Sequence, residues 1–178
     1  VINPATGEVA GRLPLATAAD LDRALTTAAE AFALWRKKAP YDRARILSKA
    51  AALVRERADH IAIQLTIEEG KSFVEAKGEV IASADILDWS LEEARRAYGR
   101  VIPGRMPGHR ALMIKEPVGP VAAFTPWNFP ALTPMRKIAA SIASGCSCII
   151  KPAEETPASA LAIARCLDDA GLPKGVLQ

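Results

Sequence analysis

The segment Val121-Ala122-Ala123-Phe124-Thr125-Pro126-Trp127-Asn128-Phe129-Pro130 decides how the chain is read. A short run of strand formers passes straight into a loop with a proline at each end, and a helical stretch follows from about Leu132 to Ser144. A second apolar run, Ser147 to Lys151, leads into another proline-bounded turn and a second helix, Ala158 to Ala170. Gly175-Val176-Leu177 then opens a further strand. Strand–helix–strand–helix at these lengths predicts a parallel α/β sheet.

Upstream the character changes. Between Arg100 and Gly119 come Pro103-Gly104, Pro107-Gly108 and Pro117, and Ala111 to Lys115 is rich in strand formers, so this part reads as an extended arm or hairpin. Everything before Gly99 is helical in pattern. Leu21, Ala24, Leu25, Ala28, Phe32 and Trp35 share one face, and Thr17 with Asp20 resembles a capping box. Pro40 closes that helix and opens the next, with Ile46, Leu47, Ala50, Leu53 and Val54 as its stripe. Asp59 to Glu69 ends at Gly70, and a fourth helix is predicted from about Ser72 to Tyr98, carrying Val80, Ile81, Ile86, Leu87 and Leu91 with Trp89 beside them.

Composition removes several classes of function. Of 178 residues 50% are apolar, and 23 Lys+Arg stand against 20 Asp+Glu, for a net charge of +3. No basic run exceeds Arg36-Lys37-Lys38, so nucleic acid is not expected as a partner. The most apolar stretch, Ile138 to Ile150, is broken by Ser141, Ser144 and Ser147 and is shorter than the roughly 18 residues of a membrane span, so no membrane association is expected. Three cysteines are too few for a disulfide scaffold, and a reducing, cytoplasmic setting fits them. Val1 at one end and an unfinished apolar run at the other suggest part of a longer chain.

Two short motifs carry less than they promise. Gly70-Lys71-Ser72 invites a phosphate-loop reading, but position 65 is Leu and the element before it is a helix, so a helix cap is expected instead. Cys146 and Cys148 lie two apart on a predicted strand, and no histidine is placed to join them: His60 sits on a helix and His109 on the arm. Core packing is the expectation for both, as for Cys166, and no metal site is expected.

The two loops after the strands are different, because ligands bind at the carboxyl edge of such sheets. Pro126 to Pro130 is either a rigid turn plugged by Trp127 and Phe129 or a site in which Asn128 offers an amide N–H to an oxyanion. Lys151-Pro152-Ala153-Glu154-Glu155-Thr156-Pro157 tips the balance toward a site. It puts a cation and a carboxylate beside the first loop, and a carboxylate after a second strand suits ribose hydroxyls.

With Glu116-Pro117-Val118-Gly119-Pro120 before it, the opening segment resembles the aldehyde dehydrogenase family. So do Arg136-Lys137-Ile138-Ala139, Ser144-Gly145-Cys146, Ile150 to Pro157, Ala170 to Leu177 and Asn3 to Glu8, in the family's order and spacing across the whole chain. The resemblance implies an α/β fold in three parts: amino-terminal helices of the cofactor domain (1–99), an oligomerisation hairpin (100–117) and the first half of a parallel Rossmann-like sheet (118–178). It also implies oxidation of an aldehyde to a carboxylic acid through a thiohemiacetal and a thioester on a cysteine. NAD rather than NADP is the expected cofactor, and a homodimer or homotetramer the expected assembly. By position, Asn128 would stabilise the oxyanion and Lys137 would join a proton relay. Thr125, Pro126, Trp127 and Asn128 would line the cofactor cleft, with Lys151, Pro152, Ala153 and Glu154 toward the adenosine ribose. Tyr98 to Pro103 is similar to succinate-semialdehyde dehydrogenases, in which an Arg at the position of Arg136 binds the substrate carboxylate, although Leu132-Thr133-Pro134-Met135 departs from that subgroup.

The family's nucleophilic Cys and general-base Glu are expected to lie beyond Gln178, and Cys146 and Cys148 do not occupy the nucleophile's place. This chain by itself is therefore expected to be inactive. An alternative is a stand-alone binding or interaction module that works through the arm; a thioester-forming or phosphate-reducing relative ranks below both.

Overall fold

A computed structural model describes residues 1–178. Four helices come first, α1 (Ala18–Trp35), α2 (Pro40–Glu56), α3 (Ala58–Glu69) and α4 (Phe73–Arg95). An arm of β1 (Arg100–Pro103) and β2 (Arg110–Met113) follows, then β3 (Val121–Phe124), α5 (Leu132–Ser144), β4 (Cys148–Lys151) and α6 (Pro157–Asp169).

Local chemistry sets the helix ends. Thr17 and Asp20 close a reciprocal capping box at the start of α1, and Pro40 occupies the first turn of α2. Gly70 terminates α3 with φ +94°, a left-handed conformation, and a Cβ there would lie 2.8 Å from the Pro4 ring. Ser72, paired with Glu75, caps α4. Gly70-Lys71-Ser72 is thus a helix-to-helix junction. Helix α4 stops at Arg95, short of the predicted Tyr98, because no residue past Leu91 is fully buried to hold another turn.

Strands β3 and β4 pair in parallel, Val121 opposite Cys148 and Phe124 opposite Lys151, with α5 as the crossover. Beyond β4 the chain returns on its far side: the Cys148 N–H donates to the Val176 carbonyl at 2.8 Å and the Ile150 N–H to the Gln178 carbonyl at 2.8 Å. The predicted third strand therefore begins there, and β4 is central.

Helices and sheet share one apolar core, which includes Trp35, Leu47, Val54, Leu65, Val80 and Leu87 together with Met135, Ile138, Ile142, Cys148, Ile163 and Leu167. Two polar bonds tie its halves together: the Trp35 indole N–H donates to the Ile142 carbonyl at 2.9 Å, and Arg43 Nε donates to the Ala143 carbonyl at 3.1 Å. The face predicted for α1 needs correction. Leu21 and Leu25 are exposed and Ala28, Ala31 and Trp35 are buried, because only the second half of α1 lies against the sheet, where the Ser147 hydroxyl donates to the Ala28 carbonyl at 2.8 Å. Trp89 is exposed as well, on the side of α4 away from Leu87 and Leu91.

The arm stands clear of this core. Its strands pair antiparallel, Arg100 opposite Met113, and every residue of both is exposed, including Val101, Ile102 and Leu112. No helix is long and apolar enough to cross a membrane.

Candidate active site

Both strands end at the same edge, so their loops emerge side by side. The Thr125 N–H donates to the Lys151 carbonyl at 3.2 Å, which carries the pairing one residue past β3. The Thr156 hydroxyl then donates to the Trp127 carbonyl at 3.3 Å, joining the two loops directly. Thr125 Oγ1 is buried beside this junction and has no hydrogen-bond partner.

The predicted residues divide by environment. Pro126, Trp127, Asn128 and Phe129 are exposed, whereas Pro130 and Ala131 are buried where the chain dives into α5. Neither Trp127 nor Phe129 is buried within this chain. At the end of β4, Lys151 and Glu154 are exposed and hydrogen-bonded to each other; that ammonium draws the Glu154 carboxyl below its ordinary pKa. Pro152 is partly buried and Ala153 buried, so they shape the turn. Arg136 and Lys137 lie on the exposed side of α5 with Ala140 and Ser144, and neither pairs with a carboxylate of this chain. The structure brings the 125–128 and 151–154 groups to one edge and sets Arg136 and Lys137 in the second turn of the helix that leaves it.

Three residues to which the sequence gives no role at the site make hydrogen bonds to this edge. Neither α5 nor α6 has a capping side chain of its own. Glu79, buried on α4, accepts hydrogen bonds at Oε1 from the backbone N–H groups of Ala131 (2.8 Å) and Leu132 (3.0 Å). Glu68, buried on α3, accepts those of Ala158 (2.7 Å) and Ser159 (2.8 Å). Each carboxylate satisfies orphan donors and faces the positive end of a helix dipole. Burial nevertheless pushes the Glu68 carboxyl above its ordinary pKa, opposed by those hydrogen bonds. The third residue is Lys71, whose ammonium reaches both Glu79 Oε2 (2.6 Å) and the Asn128 carbonyl (3.1 Å). A carboxylate on a buried helical stripe, as at 68 and 79, is the signal in the sequence that could have found two of the three.

The cysteines take no part. Cys146, Cys148 and Cys166 are free and buried, and burial pushes the Cys148 thiol up to about 11 and the Cys166 thiol upward.

A parallel α/β sheet with two joined loops at its carboxyl edge has the arrangement at which folds of this class bind ligands. Residues 1–178 match the aldehyde dehydrogenase family throughout, and the chain belongs to that family. It is 50% identical, over its full length, to 4-(hydroxymethyl)benzenesulfonate dehydrogenase of Comamonas testosteroni, and spans 37% of that protein. It is 46% identical to a glutarate-semialdehyde dehydrogenase of Pseudomonas aeruginosa, over 99% of this chain and 36% of the relative. The crystal structure of succinate-semialdehyde dehydrogenase from Burkholderia pseudomallei superposes with a TM-score of 0.97 at 45% identity, over 99% of this chain and 37% of the other. The chain thus spans little more than a third of the length of its relatives. Among further matches some are named or solved with NADP and others with NAD.

Proposed function

We propose that these residues form the amino-terminal part of an NAD-linked aldehyde dehydrogenase that converts an aldehyde bearing a distant anionic group to the corresponding acid. The observation that carries this reading is the joined pair of loops, which sets Asn128 and the Lys151–Glu154 pair on adjoining loops at the carboxyl edge of a parallel sheet.

The roles follow from the chemistry of each group. Addition of a nucleophile to an aldehyde places negative charge on the carbonyl oxygen, and the Asn128 amide N–H is the donor suited to it. The nucleophilic Cys and the base Glu belong to the parts of the family fold outside residues 1–178. Thr125 Oγ1, with its unmet hydrogen-bonding capacity, and the Lys151–Glu154 pair fit a hydroxyl-rich cofactor, with Pro126, Trp127, Pro152 and Ala153 shaping the cleft. A nicotinamide cofactor held there would supply the hydride acceptor that the oxidation requires. Glu154 favours a ribose 2′-hydroxyl over a 2′-phosphate of like charge. Arg136 and Lys137, unpaired and exposed on α5, are assigned to the substrate's anion and to proton transfer respectively. An anionic substrate agrees with the names of the three relatives described above, which specify a sulfonate or a semialdehyde that carries a carboxylate.

In the same reading residues 1–99 and 118–178 belong to the cofactor domain, and the arm at 100–117, with Val101, Ile102 and Leu112 exposed, joins subunits in a homodimer or homotetramer of the cytoplasm. The test is aldehyde-dependent reduction of NAD by the complete gene product, with succinate semialdehyde and butanal compared. No aldehyde-dependent NAD reduction with either substrate overturns the proposal.

A further inference from the structure

Resting on the assignment of Asn128 to the oxyanion, we propose that Lys71 and Glu79 are positioning residues that set where the Asn128 amide points. Both side chains are withdrawn from solvent, with relative exposures of 15% for Lys71 and 3% for Glu79. Their ion pair of 2.6 Å is therefore no solvated surface contact of little worth. What distinguishes it is where its remaining bonds go. The second oxygen of Glu79 takes the backbone N–H groups of Ala131 and Leu132, and the Lys71 ammonium takes the Asn128 carbonyl and lies 4.3 Å from the centre of the Phe129 ring. Glu69 is the other carboxylate near this ammonium, at 3.8 Å.

One ion pair thus grips the loop at Asn128, Phe129, Ala131 and Leu132. Within this chain Asn128 is exposed and its side chain makes no hydrogen bond, whereas the peptide that carries it is tethered through its carbonyl. A donor aimed at charge that develops only during reaction must be held before the reaction begins, and a misplacement of about 1 Å can cost on the order of 10²-fold in rate. Lys71 and Glu79 touch neither substrate nor reacting atoms in this assignment; they act through Asn128.

The experiment is a double-mutant cycle in the complete enzyme, read as single-turnover rate so that product release does not mask the chemical step. Lys71→Met is expected to lower that rate about 10- to 100-fold in the wild-type background. In the Asn128→Ala background it should lower it by no more than about twofold, because the group it positions is already gone. Glu79→Gln reads the same cycle if Lys71→Met does not fold, since it keeps an acceptor for the two α5 N–H groups and removes the charge that holds the ammonium. A Lys71→Met defect that persists in full in the Asn128→Ala background overturns the proposal, as does an unchanged rate beside an impaired Asn128→Ala. An unimpaired Asn128→Ala instead overturns the oxyanion assignment, and the positioning role with it.

Discussion

Glu68 and Glu79 sit on neighbouring helices and perform the same task, each turning a buried carboxylate onto the first free N–H groups of a helix that follows a sheet strand. Their difference is the cation. Glu79 has Lys71 against it, whereas Glu68 is in no ion pair and meets its helix with hydrogen bonds alone.

Without a cation beside it, Glu68 is predicted to contribute to stability in a pH-dependent way. Glu68→Ala should cost about 1–3 kcal/mol, the penalty for stranding buried donors at Ala158 and Ser159. Glu68→Gln keeps an acceptor and should cost less. The sign with pH follows from burial: the folded carboxyl binds its proton more tightly than the unfolded one. The wild type therefore loses stability as pH rises from the ordinary carboxyl value toward the raised one, and Glu68→Gln does not. Urea titrations of both proteins across that range are the measurement, and parallel pH profiles would count against the mechanism.

Asn128→Ala in the complete enzyme should lower kcat by roughly 10²–10³ when chemistry limits the rate, the usual cost of one oxyanion donor. Cofactor Kd should change little. A mutant with wild-type kcat removes Asn128 from the mechanism.

Cofactor choice should depend on Glu154. The enzyme is expected to show a higher kcat/KM with NAD than with NADP, and Glu154→Gln to narrow the ratio by removing the carboxylate that repels a 2′-phosphate. Since Lys151 is bonded to that carboxylate, preference rather than exclusion is expected. Equal kcat/KM values for the two cofactors in the wild type sink the assignment.

Arg136→Ala should abolish a preference for succinate semialdehyde over butanal, chiefly through KM, because a guanidinium can bond both oxygens of a carboxylate. Retention of the preference in the mutant would return Arg136 to the solvent-facing surface of α5.

Brief treatment of the folded chain with iodoacetamide near neutral pH should leave Cys146, Cys148 and Cys166 unmodified, because all three are buried and burial raises the Cys148 and Cys166 thiols. Mass spectrometry before and after denaturation reads this directly. Rapid native labelling of Cys148 would contradict its burial.

How much of this was legible depended on the range of the interaction. Thr17 with Asp20, Pro40, Gly70 and the two proline-bounded loops act within a few residues, and the elements begin and end where those signals stand. The side-by-side loops were also legible, because strand direction alone sends both to one edge. Leu21, Leu25 and Trp89 were not: periodicity identifies an apolar face but not how far along a helix its neighbour extends. Lys71 was hidden for a further reason. Its meaning lies in a carbonyl 57 residues away, and Glu79 reaches a backbone N–H 52 residues away, whereas the sequence around Lys71 reads only as a cap.

The shared core has a consequence for how the molecule comes apart. Trp35 and Arg43 end on the last carbonyls of α5, so the first two helices cannot detach while that helix stays ordered. Amides of α2, α4 and α5 should exchange with deuterium as one slow set, while those of β1 and β2, outside the core, exchange early. A protease that nicks the exposed turn between Gly104 and Gly108 should accordingly leave two fragments that migrate together until denaturant is added.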